Sequence, residues 1–530
     1  MRRWAGLALA AAIVVGSSGC AFVARSAVSP SGQQPEVGSV SFGSALSSDG
    51  RFAVFQSDAE NLTAGADANG LTDVFLRDHV AGVTERISVG WDLANDPDPN
   101  NESLAGPGAV STNGRYVVFE SVADNLVADD TNGASDVFVR DRQTQTTVRV
   151  LGNNETEPDD GSHHPSISAD GAFVAFESFA GNLIDVDENG FRDVFVWNRA
   201  TGAVARMSQR GNGVEGEGES YEPMIDPAGR YVAFASAAPN LITGDTNEAE
   251  DVLVKDRSGG TLSRASLTSA GLQANSSSMT PFIAGAGRYV LFASYATDLV
   301  TGDTNGLLDV FVRDRVAGTT ERVSVAGDGS QALGSGISVP GGISGDGRFA
   351  LFSTTGTSLI AAGQSASLPV ALVRDRTGGR TLKVTSRADG NLLDEGFLGS
   401  ISDDGRYLLL ASRDVSAVEP DGNGSTFDVF LRSTVNPLVL GLSPASVPRG
   451  ASTTVSFLGT DLAPGSTILL GEGVSVTNVV FVSPSQIEVS ISVAPNAVPG
   501  PRTPLLVDNG SGAGPASGGV AFLPDAFAVI

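Results

Sequence analysis

The stretch Ala228-Gly229-Arg230-Tyr231-Val232-Ala233-Phe234-Ala235-Ser236 sets a tight turn in front of a strand whose side chains alternate. Six further copies of that turn follow the same pattern: Asp49-Gly50-Arg51-Phe52, Asn113-Gly114-Arg115-Tyr116, Asp170-Gly171-Ala172-Phe173, Ala286-Gly287-Arg288-Tyr289, Asp346-Gly347-Arg348-Phe349 and Asp404-Gly405-Arg406-Tyr407. Successive turn glycines are separated by 64, 57, 58, 58, 60 and 58 residues. So regular a period means one supersecondary unit copied seven times.

Around the turn, each copy reads as four short strands. The first ends at the turn, as in Pro165-Ser166-Ile167-Ser168, and the second is the alternating run Tyr231–Ser236. The third follows a polar loop, as in Asp309–Asp314, and the fourth follows an Ala-Gly or Thr-Gly turn, as in Thr320–Val325. Four antiparallel strands per unit make the blade of a β-propeller, in which each sheet is covered on both faces by its neighbours.

The ends of the array carry a second argument. The seventh copy has its third strand at Asp428–Arg432, yet Pro437 arrives before a fourth can form. Fourth strands carry a basic residue 22 to 28 positions before the next turn glycine, at Arg86, Arg149, Arg206, Arg264, Arg322 and Lys383. Counting 25 back from Gly50 reaches Arg25, within Val23–Val28. This amino-terminal segment is predicted to pair into the last blade and close the ring, which removes an exposed sheet edge. Six or eight blades are the alternatives, and the arithmetic favours seven.

Residues Ile167-Ser168-Ala169-Asp170-Gly171, Asn240-Leu241, Asp303-Thr304-Asn305-Gly306 and Asp309–Arg315 resemble the TolB-type, WD-like propeller repeats of bacterial envelope proteins. That resemblance covers roughly residues 22–434 and implies a binding platform without naming its partner. After Pro437 charge density falls, and alternating strands with proline turns take over, at Thr453-Val455-Phe457, Val479–Val482 and Ile487-Val489-Ile491. The opening of this segment, Leu442-Ser443-Pro444 through Phe457–Leu462, resembles the IPT/TIG immunoglobulin-like domain. The expected architecture is therefore all-β: a propeller domain over 21–434 and an immunoglobulin-like β-sandwich over 437–530. The Gly/Ser/Ala stretch Asn509–Gly519 has no helix behind it and reads as a hairpin loop, not a phosphate cradle.

Residues 1–20 run from Arg2 and Arg3 through the apolar Ala5–Val15 to Gly16-Ser17-Ser18-Gly19-Cys20, an export signal too short to span a bilayer. Cys20 is the sole cysteine of the 530 residues and cannot form an internal disulfide. Its setting resembles the lipobox of bacterial lipoproteins, with Ser17 where that pattern prefers Leu, and this implies lipidation at Cys20. The expected location is the cell envelope, by lipid anchor or by secretion. Sixty acidic against 33 basic residues give a net charge of −27, which opposes binding to nucleic acid or anionic lipid.

The loop before the third strand repeats the pattern D-x-N-G-x-x-D. It holds Asp67, Asn69 and Asp73; Asp130, Asn132 and Asp136; Asp187, Asn189 and Asp193; and Asp303, Asn305 and Asp309. The fourth copy keeps Asp245, Asn247 and Asp251 with Glu248 in place of glycine, the seventh has Asp421, Asn423 and Asp428, and the sixth has lost the motif. Oxygen ligands at this spacing around a tight turn are candidate calcium ligands. The competing reading is turn chemistry, since Asn-Gly starts turns and Asp bonds its own backbone. In a propeller these loops share one face with the interblade loops, which hold Asp96, Asp98, Glu102, Glu155, Glu157, Asp159, Asp160, Glu215, Glu217 and Glu219. An acidic rim is therefore expected, suited to divalent ions or a cationic partner.

Catalytic signals are sparse. The three histidines are His79, His163 and His164, and no G-x-S-x-G elbow occurs. His163-His164 beside Asp159 and Asp160 reads as a polar interblade loop. The expected function is a non-enzymatic envelope platform for a protein or glycan partner. The alternative is a carbohydrate-active propeller using two of its many carboxylates.

Overall fold

The computed structural model describes residues 22–36, 39–63, 69–92, 97–185, 187–334, 336–359, 369–384, 396–413, 426–433, 438–460, 467–471, 473–483, 486–502, 505–507, 520–522 and 527–530. Seven four-stranded antiparallel sheets are built from the seven repeats. The fifth shows the pattern, with strands Ser278–Ala284, Tyr289–Ser294, Asp309–Asp314 and Thr319–Arg322 from channel to rim. The second and third strands sit where the alternation placed them. The fourth is shorter than the sequence suggested, ending at Arg322, because the N–H groups of Val323 and Ser324 both fall on the Val310 carbonyl and break the regular ladder. The seventh sheet takes its outer strand from the amino terminus, where Phe22–Arg25 runs antiparallel to Asp428–Ser433.

The second and third strands are buried on both faces: all of Asp309–Asp314 and all but Tyr231 of Tyr231–Ser236 are buried, beyond the one face that the alternation predicted. Phenylalanines from the second and third strands lie across from one another with no exposed surface, and stack at centroid distances of 5.7 Å for Phe55–Phe75 and 5.6 Å for Phe119–Phe138. Truncating one such ring to alanine costs about 3–5 kcal/mol. Each turn glycine lies against the aromatic of the preceding blade, so a β-carbon at Gly171 would come within 2.2 Å of Tyr116 and one at Gly114 within 2.5 Å of Phe52. An arginine seals the same seam. Arg199 donates to the carbonyl of Gly171 at 2.6 Å and stands 4.0 Å over the Tyr116 ring, and Arg142 and Phe52 repeat the geometry one blade earlier.

A second arginine locks most turns to their own blade. Arg115 holds Asp141 through two hydrogen bonds of 2.9 and 2.7 Å, as Arg51 holds Asp78 and Arg288 holds Asp314. The third blade has Ala172 and Asn198 at these two places, so both partners of the pair are absent together.

Each blade sends one aliphatic residue to the central channel from the inner strand near its turn end, Leu46, Ile167, Ile225, Ile283, Ile343 and Ile401, and in the second blade from Val110, which bridges Val117 beyond the short inner strand Ser103–Leu104. Two residues further on, the turns are linked around the ring by backbone hydrogen bonds, including Thr112 N–Ala169 O at 2.9 Å and Asp403 N–Ser48 O at 3.0 Å. The carboxy-terminal segment forms one four-stranded sheet, from Leu438–Ser443, Ser452–Thr460, Gln486–Val493 and Val474–Ser483, and two three-stranded sheets. Val455, Phe457, Ile487, Val489 and Ile491 share a core with Val447, Ile468, Phe527 and Val529 from the smaller sheets. Among the described residues no helix is long and apolar enough to cross a membrane.

Candidate functional site

The Asp/Asn loops build themselves from local bonds. The Asn305 side-chain oxygen accepts the Leu307 N–H at 3.0 Å while its amide donates to Asp309 at 3.0 Å and to the Ala332 carbonyl in the interblade loop at 3.2 Å. Asn132 does the same with Ala134, Asp136 and Pro158. These bonds place the two sets of loops on one face, as the sequence implied. Gly70, Gly133, Gly190 and Gly306 adopt φ of +64° to +67°, and Glu248 takes the same left-handed conformation at +54° without a glycine's freedom.

At the centre of each loop stands a guanidinium. Arg149 reaches Asp130 at 2.7 Å, Asp136 at 3.1 Å and Glu157 at 2.8 Å. Arg206 joins Asp187, Asp193 and Glu215; Arg264 joins Asp245 and Asp251; and Arg322 joins Asp303 and Asp309 at 3.1 and 3.3 Å. Arg86 contacts Asp73 and Asp98, and Arg25, from the amino-terminal strand, reaches Asp428 at 3.3 Å. Asp67, Asp421 and Asn423 lie outside the described residues, as does Cys20. Thus the candidate cation ligands do converge, and the positive charge among them is supplied by the fourth strand. Among the described residues no group of three or more His, Cys, Asp or Glu is arranged to hold a metal ion.

The arginines had a sequence signal. They were visible as a register mark, and the sixth copy, which lost the Asp/Asn motif, is also the one with Lys383 in place of arginine. A buried carboxylate without its counter-ion is costly, so the partners change together.

Electrostatics in these loops is uneven. The first residue of each third strand is fully buried, and burial pushes Asp136 and Asp251 up to about 6 despite their arginines. Asp187 is likewise pushed up to about 6, with Asp193 and Glu215 adding repulsion. Ser88, Ser266 and Ser324 each donate at 2.6 Å to the buried carboxylate of their blade. The second blade has Leu151 at the corresponding place, and among the described residues Oδ1 of Asp136 has no hydrogen-bond partner.

The histidine pair departs from the sequence reading. His163 and His164 lie in the inner strand Ser162–Ile167, not in the interblade loop, because that loop is shorter than the polar run suggested. There they join a cluster on the loop face. The fully buried Glu177 binds His164 Nδ1 at 3.0 Å and Arg192 at 2.8 Å, and also accepts the Glu222 N–H. Glu120 accepts the His164 N–H at 2.7 Å. The bond to Glu177 raises the His164 pKa above its ordinary value, favouring an imidazolium. Arg192 also stands 4.7 Å over Tyr221 and 5.4 Å over Phe179, which is 44% exposed. His79, by contrast, is a structural residue: burial lowers its pKa to about 3, and it bonds Ser26 at 3.1 Å.

Comparison with known proteins returns one family model and several distant structural likenesses. Residues 436–509 match the family model described as quinohemoprotein amine dehydrogenase, alpha subunit domain III. A putative TolB from Agrobacterium tumefaciens is similar in structure at 13% identity and TM-score 0.34, over 64% of this chain and 92% of that one. An ancestral GH74 enzyme shows 13% identity and TM-score 0.35 over 79% and 50% of the two chains. The periplasmic gluconolactonase of Pseudomonas aeruginosa shows 15% and 0.28 over 75% and 100%. No curated protein matches the sequence.

Proposed function

We propose that this protein is a non-enzymatic, exported cell-envelope protein whose propeller binds a protein or glycan partner through its loop face. In this reading residues 1–20 direct export, Cys20 becomes the lipidated first residue, and 437–530 is a TIG-type immunoglobulin-like spacer or second adhesive module. The observation that carries it is the cluster at the inner rim of the loop face. Glu177 spends its bonding capacity on His164, Arg192 and the Glu222 backbone, which suits it to holding a rigid surface rather than to moving protons. Phe179 and Tyr221 lie beside it with Arg192 across them, a mixed aromatic and charged patch of the kind that anchors a partner. The Asp/Asn loops have a structural role, because calcium would have to displace a guanidinium already in place.

A photo-crosslinking amino acid at Phe179 tests the platform in intact cells, with the same group at Val316 in the turn on the opposite face as control. A discrete adduct from position 179 and none from 316 is the expected result. Adducts from neither position, or equally from both, would overturn the assignment. Fatty-acid labelling that persists after Cys20→Ala would remove the anchor, and polysaccharide turnover abolished by one carboxylate substitution would replace the platform with the carbohydrate-active alternative.

A further inference from the structure

The channel opens on the face opposite the acidic loops, and its chemistry there is of another kind. The seven aliphatic residues of the inner ring, with Met224 and Phe282, line an open cavity of about 130 Å³. Outside it is a wider mouth of about 540 Å³, bordered by Asp49, Asp403 and Asp404. Two residues beyond the aliphatic ring, six blades carry an uncharged residue and the seventh carries Asp403, the one charged residue among the three (with Ser48 and Pro227) that line both cavity and mouth.

Asp403 is held there by the ring itself, through its N–H to Ser48 and its carbonyl to Gly345. Its carboxylate lies over Gly345, where a β-carbon would come within 2.6 Å of Oδ1, so the glycine leaves the space that the carboxylate fills. Among the described residues this side chain has no hydrogen-bond or ion-pair partner. Burial, with Asp404 and Asp346 nearby, raises its pKa, and no basic group offsets them. A cavity with a ring of seven aliphatic side chains and one unanswered carboxylate at its lip is complementary to a ligand that is apolar at one end and cationic at the other.

We propose that this channel binds a free primary alkylammonium ion, its unbranched tail among the aliphatic residues and its charge at Asp403. A cavity of about this size holds roughly six carbon atoms, as an engineered cavity of about 150 Å³ holds benzene. Direction of entry separates a free ion from a lysine of another protein. A free ion enters tail first and leaves its charge at the mouth. A lysyl side chain enters ammonium first and would carry its charge past Asp403 into the aliphatic ring, unpaired and desolvated.

Calorimetric titration of the full chain with n-pentylammonium chloride tests the site. Saturable binding is expected, weakened at least tenfold by Asp403→Asn and at least tenfold for 1-pentanol, with Nα-acetyl-lysine methylamide silent. Nuclear Overhauser contacts between the pentyl methyl group and labelled isoleucine methyls of the wild-type chain locate the tail without any variant. No binding by the wild type, unchanged binding by Asp403→Asn, equal binding of the blocked lysine, or absence of isoleucine contacts would each overturn the proposal. None of these outcomes bears on the crosslinking expected at Phe179, which lies on the other face.

Discussion

Gly50 and Tyr407 come from the first and last repeats, yet a β-carbon on Gly50 would lie 2.4 Å from the Tyr407 ring. The seam that joins neighbouring blades therefore also joins the ends of the array. Tyr407 is buried, and Gly50 sits at φ +74°, a conformation that side chains disfavour.

Gly50→Ala combines a steric clash of about 1–3 kcal/mol with a left-handed penalty of about 1–2 kcal/mol. It should lower the denaturation midpoint strongly. Tyr407→Leu in the same chain should return part of the loss, and a double-mutant cycle measures the coupling. Strict additivity would mean that the two residues do not meet in solution.

Arg322 carries the positive charge among Asp303 and Asp309. Arg322→Met should destabilise by about 3–5 kcal/mol, because two buried carboxylates lose their counter-ion. It should also make the melting temperature rise with millimolar calcium, since the loop then lacks its own cation and a ligand of the folded state stabilises it. The wild type should show no such rise after chelator treatment. A calcium-dependent rise in the wild type would restore the loops as metal sites.

Two substitutions should stabilise. Leu151→Ser supplies the second blade with the hydroxyl that Ser88, Ser266 and Ser324 provide elsewhere, and answering the buried Oδ1 of Asp136 is worth about 1 kcal/mol. Glu248→Gly relieves a left-handed residue at φ +54°, for a further gain of about 1 kcal/mol. Urea denaturation of the two single variants and the pair measures both.

Stability should peak in mild acid. Asp136, Asp187 and Asp251 titrate near 6 in the folded chain against an ordinary 3.8, so folding favours their protonated forms. Their contribution is present below about pH 4 and is lost as pH rises through about 6. Asp141, Asp314 and Glu157 are held near 2 by hydrogen bonds from Arg115, Arg288 and Thr131 respectively, so their contribution is lost as pH falls from about 4 to 2. The melting temperature should therefore climb from pH 7 to about 5 and fall below about 4. A profile that rises steadily toward pH 8 would contradict the buried carboxylate assignments.

The His164 imidazole should titrate above the usual histidine value in a proton NMR experiment, and Glu177→Gln should bring it down. An unshifted His164 would break the cluster on which the loop-face platform rests.

Much of the blade was legible because its signals are local. Tyr231–Ser236 alternates in the sequence and forms that strand in the structure, and Asp309–Asp314 likewise. Ring closure was legible by counting, since a missing fourth strand and a stray arginine identify one another, but the strand spans Phe22–Arg25 and not Val23–Val28. The His163-His164 pair was misplaced because a polar run looks alike in a loop and in an inner strand whose edge meets the channel. The Asp/Asn loops were recognised as a unit, but their occupant was not, because the arginine that fills each one belongs to a different strand.

Repetition in the chain was enough to establish an all-β ring of seven units and a separate sandwich, because turn chemistry and alternation act between residues a few positions apart. Which carboxylates are neutralised and which are left bare was decided only when strands distant in the chain came together. Asp309 meets Arg322, and Asp403 meets no cation among the described residues, although in the sequence both are acidic residues of a repeated turn or loop. Charge pairing depends on distances of about 3 Å, and only the closed ring sets those.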